Sequence, residues 1–136
     1  MKTHLNLHTR DLDKSVDFYR VLLHAEPVKR FEDYALFVTD DPGLELALDL
    51  DHRAPAASHD HFGIAVATPE EVVAAVDRLR AADVAVVVEG ENVCCYAKQT
   101  KVWATDPEGR RWETYAVLEE TQVRSNPDEA CCVAKE

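Results

Sequence analysis

No uninterrupted apolar run in the 136-residue chain approaches the roughly 18 residues that a membrane-spanning helix requires, so no span is expected. The amino-terminal stretch MKTHLNLHTR has one early lysine but no apolar segment of signal-peptide length, which predicts a cytoplasmic protein. Positive charge is also scarce. Fifteen Lys and Arg stand against 26 Asp and Glu, and the net charge of -11 opposes approach to phosphate backbones and anionic membrane surfaces. Nucleic acid and membranes are therefore not expected partners. Well-separated cysteines are absent too: the four fall in two adjacent pairs, Cys94-Cys95 and Cys131-Cys132. Adjacent residues staple no loop, which excludes a secreted disulfide framework. Paired thiols kept reduced point instead to soft-metal or metalloid chemistry, because thiolate is a soft ligand.

Hydrophobic residues make up 46% of the chain and charged residues 30%, a globular balance at a length that suits one core. From His4 to His8 the pattern alternates, with Leu5 and Leu7 on one side and His4, Asn6 and His8 on the other, as a half-buried strand requires. Asp11 is placed to cap a helix whose Leu12, Val16, Tyr19, Leu22 and Leu23 recur at helical spacing to about His24. Val28–Phe31, Ala35–Val38 and Leu44–Leu50 follow as short strands, the last two separated by an Asp-Asp-Pro-Gly turn at 40–43.

After a polar link at 51–58 the same order returns. A strand at 61–66 carries Phe62, Ile64 and Val66 on its apolar face. Thr68 and Glu71 have capping-box spacing, Pro69 stands at the first helical position, and Val72, Val73, Val76 and Leu79 form a buried stripe. Val84–Val88, Val102–Ala104 and Arg111–Val117 read as strands, the last two joined by Asp106-Pro107-Glu108-Gly109. Counting supports a duplication: His4 lies seven residues before Asp11, and His61 seven before Thr68. The second half carries about eight extra residues before its Asp-Pro turn, among them Gly90–Tyr96 and thus Cys94-Cys95. Insertions of this kind commonly bear function.

The repeat makes His4 and His61 equivalent. Small residues, Gly63 and Ala65, share the face of His61 and are expected to leave space beside its imidazole, while Glu113, Tyr115 and Val117 share one face of the last strand. Two imidazoles and a carboxylate on one side of a divalent metal leave positions open for substrate, water or dioxygen, a set that suits non-haem Fe(II) and also accepts Mn, Co, Ni or Zn. Other readings stand beside this one. A strand histidine is more often structural, and His24, His52 and His59 are assigned no role. Glu45, placed after the first Asp-Pro turn, rivals Glu113. Adjacent cysteines also serve as small buried hydrophobes, and Cys131-Cys132 sit in a polar tail expected at 121–136. For Cys94-Cys95 the insertion and the nearby Lys98 and Lys101, which favour thiolate on approach, weigh towards function.

Several motifs together resemble the vicinal oxygen chelate superfamily: the strand with His4, the run Asp11-Leu12-Asp13-Lys14-Ser15-Val16-Asp17-Phe18-Tyr19, then His61, and Asp106-Pro107-Glu108-Gly109 before Glu113. The resemblance covers roughly residues 2–118. It implies an α+β fold of two tandem βαβββ modules (1–51 and 59–118) forming one domain over residues 1–120, with a metal-binding cleft. The stretch Asn92-Val93-Cys94-Cys95-Tyr96-Ala97-Lys98-Gln99-Thr100-Lys101-Val102-Trp103, continuing to Trp112-Glu113-Thr114-Tyr115, is similar to the Fe(II)-dependent carbon-arsenic lyases and to the related cadmium-induced proteins. That similarity implies His4, His61 and Glu113 as metal ligands, and Cys94 and Cys95 as the pair that binds a trivalent organoarsenical. The implied reaction is dioxygen-dependent cleavage of the carbon-arsenic bond, yielding arsenite. Two alternatives remain: a cadmium- or arsenite-binding resistance protein without catalysis, and another glyoxalase-type metalloenzyme. Paired modules allow either a monomer or a homodimer.

Overall fold

The computed structural model describes residues 1–54, 60–94 and 97–120, with residues 91–94, 97 and 120 described by their backbone alone. The chain divides into two compact units, one comprising residues 1–59 with 106–110 and the other 60–105 with 111–136. Each described module has the element order strand, helix, three strands, which is the α+β arrangement that the repeat predicts.

In the first unit β1 (Thr3–Thr9) runs parallel to β4 (Gly43–Leu50), and β3 (Tyr34–Asp40) and the short β2 (Lys29–Arg30) complete a sheet of order β1-β4-β3-β2. Leu5 and Leu7 pair in register with Leu46 and Leu48, and Phe37 and Ala35 pair with the same two leucines from the other side. Alternation therefore gathers these six on one face. Helix α1 (Leu12–Leu22) contacts β4 and β3 and buries Leu12, Val16, Phe18, Tyr19 and Leu22. Asp11 caps the helix by accepting from the Lys14 backbone N–H at 3.1 Å. The helix ends at Leu23, and His24 takes a positive φ of 50° as the chain leaves.

The turn 106–110 completes this unit. The Tyr19 hydroxyl donates to Asp106 Oδ2 at 2.6 Å, and Glu108 accepts from the Arg10 backbone N–H at 2.5 Å and from Arg10 Nε at 2.9 Å. Asp106 also ties its own turn, accepting at Oδ1 from the backbone N–H groups of Glu108 and Arg110. Burial pushes the Glu108 carboxyl up, but the Arg10 bonds outweigh that effect and hold it below the usual carboxylate range.

In the second unit β5 (His61–Ala65) runs parallel to β8 (Arg111–Glu120), with β7 (Ala97–Thr105) and β6 (Val86–Cys94) antiparallel beyond it, in the order β5-β8-β7-β6. Helix α2 (Pro69–Ala81) begins with the predicted capping box: Thr68 accepts from the Glu71 backbone, Glu71 accepts from the Thr68 backbone, and Pro69 sits in the first turn. Its buried residues Val72, Ala75, Val76 and Leu79 face a sheet that it contacts at β8, β7 and β6. On that side Phe62 and Trp112, cross-strand partners, stack with ring centroids 5.0 Å apart.

The main departure from the sequence reading concerns the extra residues. Expected strands at 84–88 and 102–104 are instead the long strands β6 and β7, paired up to Cys94 opposite Ala97. The insertion is thus largely an extension of a hairpin. Its pairing shifts register between Glu89 and Asn92, an irregularity that alternation alone does not reveal. The expected strand 28–31 shortens to Lys29–Arg30, with Val28 and Phe31 exposed.

Candidate functional site

The face of the second sheet opposite α2 is built by register. Gly63 pairs with Glu113 and His61 with Arg111 on one side of β8, while Trp103 pairs with Glu113 and Lys101 with Tyr115 on the other. Glu89 in β6 faces Lys101. A single surface therefore carries His61, Glu113, Tyr115, Trp103, Lys101 and Glu89. Within it Lys101 is 1% exposed, Trp103 2% and Glu113 8%, so the lysine and the carboxylate are removed from water, while His61 and Tyr115 are half-buried. The His61 ring meets the Trp103 ring edge-on, centroids 5.2 Å apart.

Glu113 is held from two sides. Lys101 Nζ donates to its Oε2 at 3.2 Å, and the same ammonium lies 5.5 Å from the Trp103 ring centroid and 5.8 Å from that of Tyr115. On the other side the carboxylate lies over Gly63. A Cβ on Gly63 would sit 3.0 Å from Glu113 Cγ, 3.1 Å from Tyr115 Cε1 and 3.3 Å from Glu113 Oε1. The space expected beside His61 is thus filled from β8, and Gly63 is what admits the carboxylate. Among the described residues Oε1 accepts no hydrogen bond, so the carboxylate is anchored by one oxygen and presents the other above the strand of His61. Removing one partner of a buried ion pair typically costs about 3–5 kcal/mol, so Lys101 and Glu113 are strongly interdependent.

Lys101, read from the sequence with Lys98 as a cation that favours thiolate at Cys94-Cys95 on approach, has its buried ammonium bonded to Glu113. The available signal was a lysine between Thr100 and Val102 in a strand with apolar neighbours, where a buried charge demands a carboxylate partner.

The matching face of the first sheet is wetter. His4, Asn6 and His8 alternate outward from β1, as predicted. His4 Nδ1 lies 3.5 Å from Glu45 Oε1, with its side chain 55% exposed. Asn6 donates to Asp49 at 2.6 Å, and His8 Nδ1 lies 3.5 Å from Asp51. The Arg53 backbone N–H holds the Asp51 carboxyl below its ordinary range, against the desolvation that raises it, and His8 adds to the lowering. Register separates the positions of the two carboxylates. Glu45 pairs directly with His4, as Arg111 does with His61, and the position matching Glu113 is Ala47.

Of the residues singled out from sequence, His61 and Glu113 stand on adjacent strands of one sheet face, one alternation apart. His4 lies in the first unit. Cys94 ends β6 opposite Ala97, and Cys95, Cys131, Cys132 and His59 lie outside the described residues.

Residues 3–114 match the model of the Glyoxalase/Bleomycin resistance protein/Dioxygenase superfamily, and the chain belongs to that superfamily. It is 39% identical over 131 residues to the trivalent organoarsenical cleaving enzyme of Bacillus sp. (strain MD1), covering 96% of this chain and 81% of that protein. It is 38% identical over 122 residues to the cadmium-induced protein CadI of Mycobacterium tuberculosis (strain ATCC 25618 / H37Rv), covering 90% of this chain and 80% of the relative. The crystal structure of a glyoxalase/bleomycin resistance protein/dioxygenase from Alicyclobacillus acidocaldarius shares the fold, with a TM-score of 0.67 at 20% identity, covering 88% of this chain and 92% of that one. Among the described residues no helix is long and apolar enough to cross a membrane.

Proposed function

We propose that this protein is an Fe(II)-dependent carbon-arsenic lyase that uses dioxygen to convert trivalent organoarsenicals, such as methylarsenite and reduced aromatic arsenicals, to arsenite in the cytoplasm. The observation that carries the reading is the parallel pairing of β5 with β8, which sets an imidazole and a carboxylate donor on one sheet face with Gly63 clearing room for the carboxylate. Imidazole and carboxylate are donors that divalent metals accept, although among the described residues no three His, Cys, Asp or Glu side chains gather closely enough to hold an ion; the name of the Bacillus relative supplies the substrate class.

In this reading His4, His61 and Glu113 hold the metal. Bound Fe(II) would supply open coordination positions and the redox capacity to activate dioxygen. The protein's own part is capture. Cys94 and Cys95 hold trivalent arsenic through sulfur, which brings the scissile bond to a fixed place and converts an encounter into an intramolecular event. Pentavalent arsenicals present anionic oxygens in place of a thiophilic centre, and a chain of net charge -11 adds no attraction for them.

The test is anaerobic loading with Fe(II), addition of methylarsenite and oxygen, and speciation of the arsenic product. Arsenite released in multiple turnovers is expected. Cys94→Ala and Cys95→Ala should each abolish that release while retaining iron, and His4→Ala should lose iron. Retained turnover in either cysteine variant counts against the mechanism. The cadmium-induced relatives favour a second reading, sequestration of Cd(II) or arsenite without chemistry. It predicts stoichiometric binding and no product.

A further inference from the structure

The buried ammonium of Lys101 has no place in the chemistry set out so far. It is 1% exposed, stands between Glu89 and Tyr115 in the strand register, and takes Oε2 of Glu113 at 3.2 Å. The other oxygen, Oε1, lies above Gly63 on the side of β5, the strand that bears His61. The two oxygens of one carboxylate are therefore turned to opposite neighbours, a fixed cation on β7 and an open glycine on β5.

From this arrangement we infer that Lys101 is a positioning residue that keeps Glu113 a one-oxygen ligand and moderates the affinity of the centre for divalent cations. The inference rests on the metal-centre reading above and adds to it the residue that sets the ligand's attitude. A carboxylate with both oxygens free can close on a cation in bidentate fashion and occupy two coordination positions. With Oε2 committed to Lys101, Glu113 offers only Oε1, and the second position stays available to exogenous ligands. The ammonium also repels a divalent cation bound to the same carboxylate, and in a site withdrawn from water that repulsion is weakly screened. Trp103 and Tyr115 keep the ammonium in place: their rings are oriented to favour a cation, and Lys101 keeps the same distance class to both.

The first module offers an internal contrast. At the positions matching Glu113, Lys101 and Trp103 it carries Ala47, Tyr34 and Leu36, paired in the corresponding register. Carboxylate and lysine are present together in one module and absent together in the other, as expected if the lysine serves the carboxylate.

The experiment is a titration of the full-length, metal-free protein with Co(II), followed by calorimetry and by the visible absorption of the bound ion. The wild type, Lys101→Met, Lys101→Gln and Glu113→Gln are compared, with thermal unfolding of each metal-free form. Both neutral lysine variants should bind Co(II) more tightly by about tenfold or more, because a nearby positive charge has gone. The visible bands of Lys101→Met should weaken as the second carboxylate oxygen raises the coordination number, while Lys101→Gln, still able to donate to that oxygen, should keep them. The metal-free forms of both should melt lower, since Glu113 loses its partner. A merely structural lysine would give the opposite pattern of lower melting with weaker metal binding. Lys101→Gln, close in length and still a hydrogen-bond donor, keeps the test decisive where Lys101→Met does not fold. Binding by the neutral variants that is equal to or weaker than wild type overturns the inference while leaving the metal centre standing. Absence of Co(II) binding by the wild type, or unchanged binding by Glu113→Gln, overturns the metal-centre reading and the inference with it.

Discussion

Gly63 shows how much a single missing side chain decides. The flanking Phe62 and Ile64 announced a strand by alternation, and the glycine between them read as empty space beside an imidazole. The space is occupied by Glu113 and Tyr115 from the neighbouring strand. Gly63→Ala must push the carboxylate aside, since its Cβ would meet Glu113 Cγ at 3.0 Å. The expected result is a destabilisation of about 1–3 kcal/mol from overpacking, read by denaturant unfolding, together with weakened metal binding read by titration. Unchanged metal affinity would show that Glu113 tolerates displacement. That His61 and Glu113 share a sheet face was legible because strand parity is a local property of the chain. The Lys101 bond to Glu113 was not, because it depends on which strands pair and at what register, and those are long-range facts.

At the scale of elements, the helices were the most readable part. Capping chemistry acts over four residues, so Asp11 and the Thr68–Glu71 box declared themselves in the sequence and are found as such. Thr68→Ala removes the side-chain acceptor for the Glu71 backbone and should cost about 0.5–2 kcal/mol in equilibrium unfolding. Leu79→Ala, at a residue 1% exposed on the sheet side of α2, should cost about 2–5 kcal/mol. An effect of Leu79→Ala no larger than that of Thr68→Ala would show that α2 is held more by its ends than by its buried face. Strand limits were less readable. The β6–β7 hairpin carries polar and charged residues, Glu89, Asn92, Lys98, Gln99 and Lys101, through paired backbone, so the stretch read as an insertion between shorter strands. Hydrogen bonding between strands can hold such a stretch extended despite its polarity.

For the molecule as a whole, acid is the informative perturbant. Glu108 is held below its ordinary range in the folded state, burial opposing and the bonds from Arg10 prevailing. A lowered folded value means that its stabilisation is fully present above the unfolded carboxyl value of about 4.3 and is lost as pH falls through the folded value. Glu108→Gln should therefore flatten the acid limb of the stability curve. Near neutrality it should lower stability by about 1.5–3 kcal/mol, the usual worth of hydrogen bonds to a charged group. Urea unfolding measured across about pH 2–7, which spans both carboxyl states, checks both effects. An acid limb that keeps its wild-type slope would remove Glu108 as its source. The two-module plan itself was visible from sequence because repetition is detectable by counting.

The Asp106–Arg110 turn, encoded far downstream of β1 and α1, satisfies Tyr19, Thr9 and Arg10 of the first unit. During synthesis the first half accordingly precedes the partners of these groups, which are encoded 87 residues beyond Tyr19. A ribosome-stalled chain whose residues 106–110 are still inside the exit tunnel should thus be cleaved by protease within α1 far faster than one in which they have emerged.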